Sequence, residues 1–146
     1  MVEARQPKLY SPAVLALATG LADYPFDDAL PLRGEGRSRT CGSEVIIGLD
    51  LDANGAVRRV GMQVRACAIG QASAALLARA AEGRNASDFA AVHEGIAAWL
   101  AGTGALPDWP DLALLTPARA HPARHGALLL PWTAACKALS SGAAAG

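Results

Sequence analysis

Six side chains of this sequence carry a thiol or an imidazole, and their positions decide what chemistry the chain can do. They are Cys41, Cys67, Cys136, His93, His121 and His125. An odd number of cysteines argues against a disulfide framework and favours thiols that pack, react or bind metal. Two thiols and one imidazole that met in space would supply three of the four ligands of a tetrahedral metal site. Which of these groups can meet depends on the elements that carry them.

The two runs on either side of Asn54-Gly55 predict a β-hairpin, because both alternate apolar and polar residues. Asn-Gly is the strongest short signal for a two-residue type I′ turn. That turn sets the cross-strand pairs, which fall on one apolar face: Val45 with Val64, Ile47 with Met62 and Leu49 with Val60. Continued to the open end of the hairpin, the same register predicts that Cys41 and Cys67 are neighbours.

Cys67 stands where the apolar period changes from two to that of a helix. The face of this predicted helix comprises Ile69, Ala72, Ser73, Leu76, Leu77 and Ala80. A helix N-terminus favours a thiolate, which makes Cys67 a candidate nucleophile or metal ligand. The alternative is a small buried residue at a tight junction. The predicted nearness of Cys41 favours the first interpretation, because the two cysteines together would supply half of a tetrahedral soft-metal site.

The last predicted helix spans about 122–139 and places His125 on the same stripe as its apolar residues. His125 is therefore a better ligand candidate than His121, whereas His93 is expected to be an ordinary surface or boundary residue. Cys136 lies about 16 Å further along the helix at 1.5 Å per residue and is expected to pack in the core. Pro131 should kink or interrupt this helix, and 139–146 should form a frayed tail.

The remaining elements predict an α+β fold in which a small antiparallel sheet of about three strands packs against several helices. A helix over 11–22 begins with Ser11 as its N-cap, and 23–40 is expected to be an extended surface loop. Ser87 should cap a further helix, whose face is Phe89, Val92, Ile96, Trp99 and Leu100. The whole chain, 1–146, is expected to be one domain.

Composition excludes several functions. Lys plus Arg and Asp plus Glu each number 13, so no net positive charge favours nucleic acid or an anionic membrane. No apolar run reaches the roughly 20 residues of a membrane span, and the start lacks the pattern of a secretory signal. We therefore expect a cytoplasmic protein. No phosphate-binding loop, nucleophile elbow or HExxH sequence occurs, so an enzyme is not expected.

Three segments together resemble the IscU, SufU and NifU N-terminal family of iron-sulfur cluster assembly scaffolds. The central one is TCGSEVIIGLDLDANGAVRRVGMQVRACAIGQASAALLARAAEGRNASDF, and the outer ones are LYSPAVL and HPARHGALLLPWTAACKAL. In the family, a Cys-Gly-Asp turn begins a strand, a hairpin follows, and a Cys-Ala-Ile segment begins a helix. The resemblance implies a SufE/NifU-like fold over nearly the whole chain.

The resemblance also implies a site. Cys41 and Cys67 match the first two family cysteines, and His125 matches the histidine before the third. That third cysteine is here Gly126, and the family aspartate is here Ser43, a possible further metal ligand. The implied cargo is iron, a transient [2Fe-2S] cluster or zinc, with Cys67 as a possible persulfide acceptor. The implied partners are a cysteine desulfurase and cluster-acceptor proteins.

Two other functions remain open. With Gly126 in place of a cysteine, the chain could be a degenerate family member that serves as an interaction module for a desulfurase or cluster-transfer partner. An open coordination position would also permit water activation by a catalytic zinc. No general base stands out near the cysteines, so this third function ranks last.

Overall fold

The computed structural model describes residues 9–39 and 42–145, the last four of them as backbone only. A short N-terminal helix precedes three strands and three longer helices. In chain order these elements are α1 Pro12–Gly20, β1 Leu32–Arg37, β2 Glu44–Leu51, β3 Val57–Arg65, α2 Ala68–Arg79, α3 Ala86–Leu100 and α4 His125–Ala145. Short 3-10 helices cover Leu21–Asp23, Leu112–Ala120 and Pro122–Arg124. The sheet is antiparallel in the order β1-β2-β3, which confirms the predicted α+β class.

The predicted hairpin register is correct, although the predicted turn is not. Val45 pairs with Val64, Ile47 with Met62 and Leu49 with Val60. A type I′ turn needs positive φ at both central residues, but Gly55 has φ 83° and Asn54 is not among the positive-φ residues. Gly55 N instead donates to Asp52 O at 3.1 Å, and the strand pairing shifts by one residue between Asp50 and Leu51. This shift compensates for the extra residue in the turn, so the strand pairs beyond it are the predicted ones.

The prediction of a surface loop over 23–40 is wrong, because β1 lies inside it and pairs with β2. The strand was hidden by Gly34 and Gly36, which leave no apolar alternation in its sequence. A Cβ on Gly34 would lie 2.0 Å from the carbonyl oxygen of Ala134, and one on Gly36 would lie 2.9 Å from the Leu130 side chain. Both glycines are thus required by the close packing of α4 on β1.

Polar caps begin the first and third helices. Ser11 caps α1 as predicted, and its hydroxyl accepts from Val14 N at 3.2 Å. The N-cap of α3 is Asn85, two residues before the predicted Ser87. Its side chain accepts from Asp88 N, while the Asp88 carboxylate accepts from Asn85 N, which completes a capping box.

The core lies between the sheet and the helices, and a buried polar link through Ser73 joins two of the helices. Ser73 on α2 donates to the carbonyl of Leu128 at 2.6 Å and accepts from Trp132 Nε1 at 3.0 Å, both on α4. The Trp132 ring packs against Trp109 and Phe89, with centroids 4.8 and 6.4 Å away. These contacts fix α2 and α4 relative to each other.

The last helix is longer and less broken than its sequence suggests. Pro131 lies inside α4 and does not interrupt it, contrary to one predicted outcome. The helix is described to Ala145, so the segment predicted as a frayed tail from 139 continues it. Its apolar face is buried as predicted at Leu128, Trp132 and Leu139.

Candidate metal or sulfur site

Cys67 occupies the junction that the sequence predicts. It is the N-cap residue of α2, separated from β3 by Ala66 alone, and it is half-buried. Its carbonyl accepts from Gln71 N at 3.0 Å, and the Gln71 side chain returns to donate to Ala66 O at 2.9 Å. The thiol itself makes no capping hydrogen bond. The junction is therefore fixed by the backbone and Gln71, which leaves the sulfur available for chemistry.

His125 is the first residue of α4, and a backbone contact decides which of its nitrogens can bind metal. Its Nε2 lies 2.8 Å from the carbonyl oxygen of Arg119. Because a carbonyl oxygen only accepts, this hydrogen bond requires the proton of the neutral ring to be on Nε2. The lone pair is then on Nδ1, the arrangement by which outer partners usually orient a metal-ligating histidine.

The helices that carry Cys67 and His125 begin at the same end of the domain. A Cβ on Gly70 would lie 3.2 Å from Ala127 O, and Ser73 bonds Leu128 further along. The residue numbers rise together, so α2 and α4 run in the same direction. Cys67 precedes Gly70 by less than one helical turn, and His125 precedes Ala127 by two residues. The thiol and the imidazole therefore lie at neighbouring helix N-termini.

The connection from β1 to β2 leads to the same end. Along α4, Leu130 meets Gly36 and Ala134 meets Gly34, so β1 runs opposite to α4 and finishes near its start. Ser38 N then donates to Ser43 O at 2.9 Å, and Gly42 N donates to Ser38 O at 3.0 Å. These two bonds anchor both sides of the short connection at the end of the domain where α2 and α4 begin.

Cys41 itself lies outside the described residues, between Arg39 and Gly42. The β2-β3 ladder ends at Glu44 and Arg65, short of both cysteines. The pairing of Cys41 with Cys67 therefore stays a prediction. Ser43 is 4% exposed, and the suggestion that it could be a ligand also stays untested.

The other thiol and imidazole groups have different surroundings. Cys136 packs partly buried against the core, and burial raises the pKa of its thiol. His93 is half-buried on α3, its Nε2 is 3.0 Å from Thr133 Oγ1, and burial lowers its pKa. His121 is exposed before the 3-10 helix Pro122–Arg124. Over residues 9–39 and 42–145, no three histidine, cysteine or acidic side chains gather closely enough to hold a metal ion.

The sequence does not reveal the residues that hold Cys67 and His125 in position. The Arg119 carbonyl has no side-chain signature, and Gln71 looks like any exposed helical polar residue. Gly70 and Ser73, three apart on α2, were the available signal. Small residues at that spacing permit close helix contact, but they do not identify the partner helix.

The imidazole tautomer gives a direct test of this geometry. In metal-free protein near pH 8, long-range 15N–1H correlation spectra should show His125 protonated at Nε2, because only that nitrogen can donate to Arg119 O. His121, which is exposed and lacks this contact, is the internal control. A ring protonated mainly at Nδ1 would contradict the observed hydrogen bond.

Comparison with known proteins supplies the context for this arrangement. No protein-family model matches the sequence, and no curated protein matches it significantly. Among solved structures, the N-terminal NifU-like protein of Brucella abortus has TM-score 0.83 and 27% identity, covering 90% of this chain and 92% of its own. A candidate iron-sulfur cluster assembly scaffold protein for the SUF system, SufU of Fervidobacterium islandicum AW-1, has TM-score 0.80 and 20% identity over 90% and 96%. A hypothetical protein has TM-score 0.64 and 17% identity over 88% and 97%.

These matches define the class of protein. The fold is the α+β fold shared by NifU-like N-terminal proteins and SufU. These likenesses agree with the resemblance of the central cysteine-hairpin-helix segment to the NifU/IscU/SufU family, from whose pattern the sequence departs at Ser43 and Gly126. Among the helices described, none is both long and apolar enough to span a membrane.

Proposed function

We propose that this protein is a non-enzymatic scaffold or sulfur acceptor for iron-sulfur cluster assembly. The observation that carries the proposal is the shared N-terminal end of α2 and α4, where Cys67 and His125 begin neighbouring helices. The SufU neighbour, which is named as a candidate cluster assembly scaffold, supports the same function, and the NifU-like neighbour shares its fold. In this proposal Cys41, Cys67 and His125 hold iron, a transient [2Fe-2S] cluster or zinc.

The donor set suits such a cargo. Thiolate sulfur and neutral imidazole nitrogen are ligands that zinc and iron-sulfur clusters accept. Three protein ligands leave the fourth position for water, Ser43 or a residue of a partner, and an open position favours exchange over permanent storage. Gly126 adds no donor where the family has a cysteine, which favours brief occupancy.

Each residue has a distinct role in the proposed cycle. The half-buried Cys67 thiol, at a helix N-terminus that favours negative charge, would accept sulfane sulfur from a cysteine desulfurase. The Arg119 carbonyl keeps the proton on Nε2, so Nδ1 of His125 can donate its lone pair without first losing a proton. A cluster-acceptor protein would then remove the cargo. We expect these steps in the cytoplasm, where thiols stay reduced.

Anaerobic reconstitution tests the proposal. Wild-type protein incubated anaerobically with ferric iron and sulfide should develop a visible-range chromophore. Failing that, a separate incubation with zinc should load about one ion per chain, as one site allows. Cys41→Ala, Cys67→Ala and His125→Ala should each lose most of this loading. Cys136→Ala is the matched control, because that thiol lies outside the site and burial raises its pKa. Wild-type protein that never binds metal or persulfide sulfur would refute the proposal.

A second candidate is the interaction module, which Ser43 and Gly126 at two expected ligand positions favour. In that case the double variant Cys41→Ala/Cys67→Ala should bind the desulfurase as tightly as wild type. If the double variant loses both partner binding and metal binding, the scaffold function is favoured.

A further inference from the structure

Arginine side chains surround the end of the domain that carries Cys67 and His125. Five arginines lie there, on four different segments: Arg37 at the end of β1 with Arg39 just after it, Arg65 at the end of β3, Arg119 in the 3-10 helix Leu112–Ala120, and Arg124 next to His125. Arg39, Arg65 and Arg119 are exposed, and the Arg37 side chain is 73% exposed. We call these five residues the arginine rim.

The rim has little acidic compensation. Glu44 is the carboxylate that pairs with it, at 2.8 Å from Arg37. No aspartate or glutamate occurs after Asp111, nor between Glu35 and Glu44. In the described part of the chain, no ion pair within 4.0 Å involves Arg65, Arg119 or Arg124. A chain with no net charge therefore concentrates positive charge around one end.

The opposite end carries charges of both signs that already pair. Asp50 binds Arg58 beside the closed end of the hairpin, Asp27 binds Arg59 at 3.1 Å, and Arg79 at the end of α2 lies 3.7 Å from Asp111. Paired exposed charges contribute little field to an approaching molecule, whereas unpaired charges of one sign attract it. The asymmetry thus favours docking at the site end.

We propose that the arginine rim is the docking surface for a carboxylate-rich surface of a protein partner, which the charge complementarity brings face to face with Cys67. The proposal rests on the proposed function, because the partner is taken to be the sulfur donor. A small anion would contact only one or two of these arginines, whereas the rim extends across four segments. Nucleic acid would need a larger excess of positive charge than this neutral chain provides.

Charge reversal with a matched control tests the rim. Arg65→Glu/Arg124→Glu changes two rim residues, and Arg59→Glu/Lys137→Glu makes the same change in net charge away from the rim. Binding to the cysteine desulfurase of the source organism is measured by surface plasmon resonance at about 0.05 and 0.3 M salt. The rim variant should associate at least about tenfold more slowly at low salt, with little difference at high salt.

The outcomes separate this proposal from the proposed function. Equal association rates for the two double variants would overturn the rim, and so would wild-type protein that binds a DNA duplex through the rim but not the desulfurase. Zinc content is measured in both variants. If wild-type protein binds no metal while the rim variant still loses desulfurase binding, the docking proposal is supported and the proposed metal site is refuted.

Discussion

Replacement of Gly34 by alanine is expected to lower the free energy of unfolding by about 3 kcal/mol, or to prevent folding altogether. The added Cβ would lie 2.0 Å from Ala134 O and 2.6 Å from Ala138 N, both backbone atoms of α4. Backbone atoms inside a helix cannot move aside as a flexible side chain can. Either α4 must separate from β1, or the strand must leave the sheet. Urea denaturation followed by circular dichroism measures the change.

Gly20→Ala is the matched control for this substitution. Gly20 ends α1 with φ −64°, and a Cβ there would meet no atom within 4 Å. It should leave stability unchanged or raise it slightly, because alanine restricts the unfolded chain. Gly34→Ala with the same denaturation midpoint as Gly20→Ala would show that α4 does not pack on β1 at the observed distance.

Replacement of Gly70 by alanine is expected to weaken zinc binding by about ten- to a hundredfold, the range seen when supports of metal ligands are lost. The new Cβ would lie 2.6 Å from Ala66 Cβ and 3.2 Å from Ala127. Relief of these contacts moves the start of α2 away from α4 and thus Cys67 away from His125. Competition with a chromophoric chelator measures the affinity.

The Gly70→Ala protein must remain folded if its zinc affinity is to report on the distance between the two helix starts. Circular dichroism should show unchanged helix content, since alanine is a better helix former than glycine by about 1 kcal/mol. Gly20→Ala again serves as the control and should bind zinc as wild type does. A Gly70→Ala protein with wild-type affinity would mean that the distance between the two helix starts does not determine binding.

Part of the fold could be predicted because its physics is local. The alternation around Asn54-Gly55 fixed the hairpin pairs, since a one-residue slip would move Ile47 and Val64 to the solvent face. The register survived a wrong turn type because the bulge after Asp50 compensated for it. The change of period at Cys67 likewise predicted the start of α2, which the N-cap position confirms.

What could not be predicted depends on contacts between distant segments. Gly34 and Gly36 weaken the strand signal of β1, and only the position of α4 explains them. The parallel packing of α2 and α4 rests on Gly70 and Ser73, whose small size is compatible with many partners. The backbone acceptor of His125 comes from a 3-10 helix whose course no periodicity indicates. The position of Cys41 remains a prediction for the same reason.

The double use of α4 has a thermodynamic consequence. The helix begins with the candidate ligand His125 and then supplies Trp132 to the core and Ala134 to the contact with β1. A cargo that binds only the folded state shifts the folding equilibrium toward that state by mass action. Loading and melting temperature are therefore linked, so that a loaded molecule resists heat and proteolysis better than an empty one. On the proposed function, loaded and empty molecules would then differ in how long they persist.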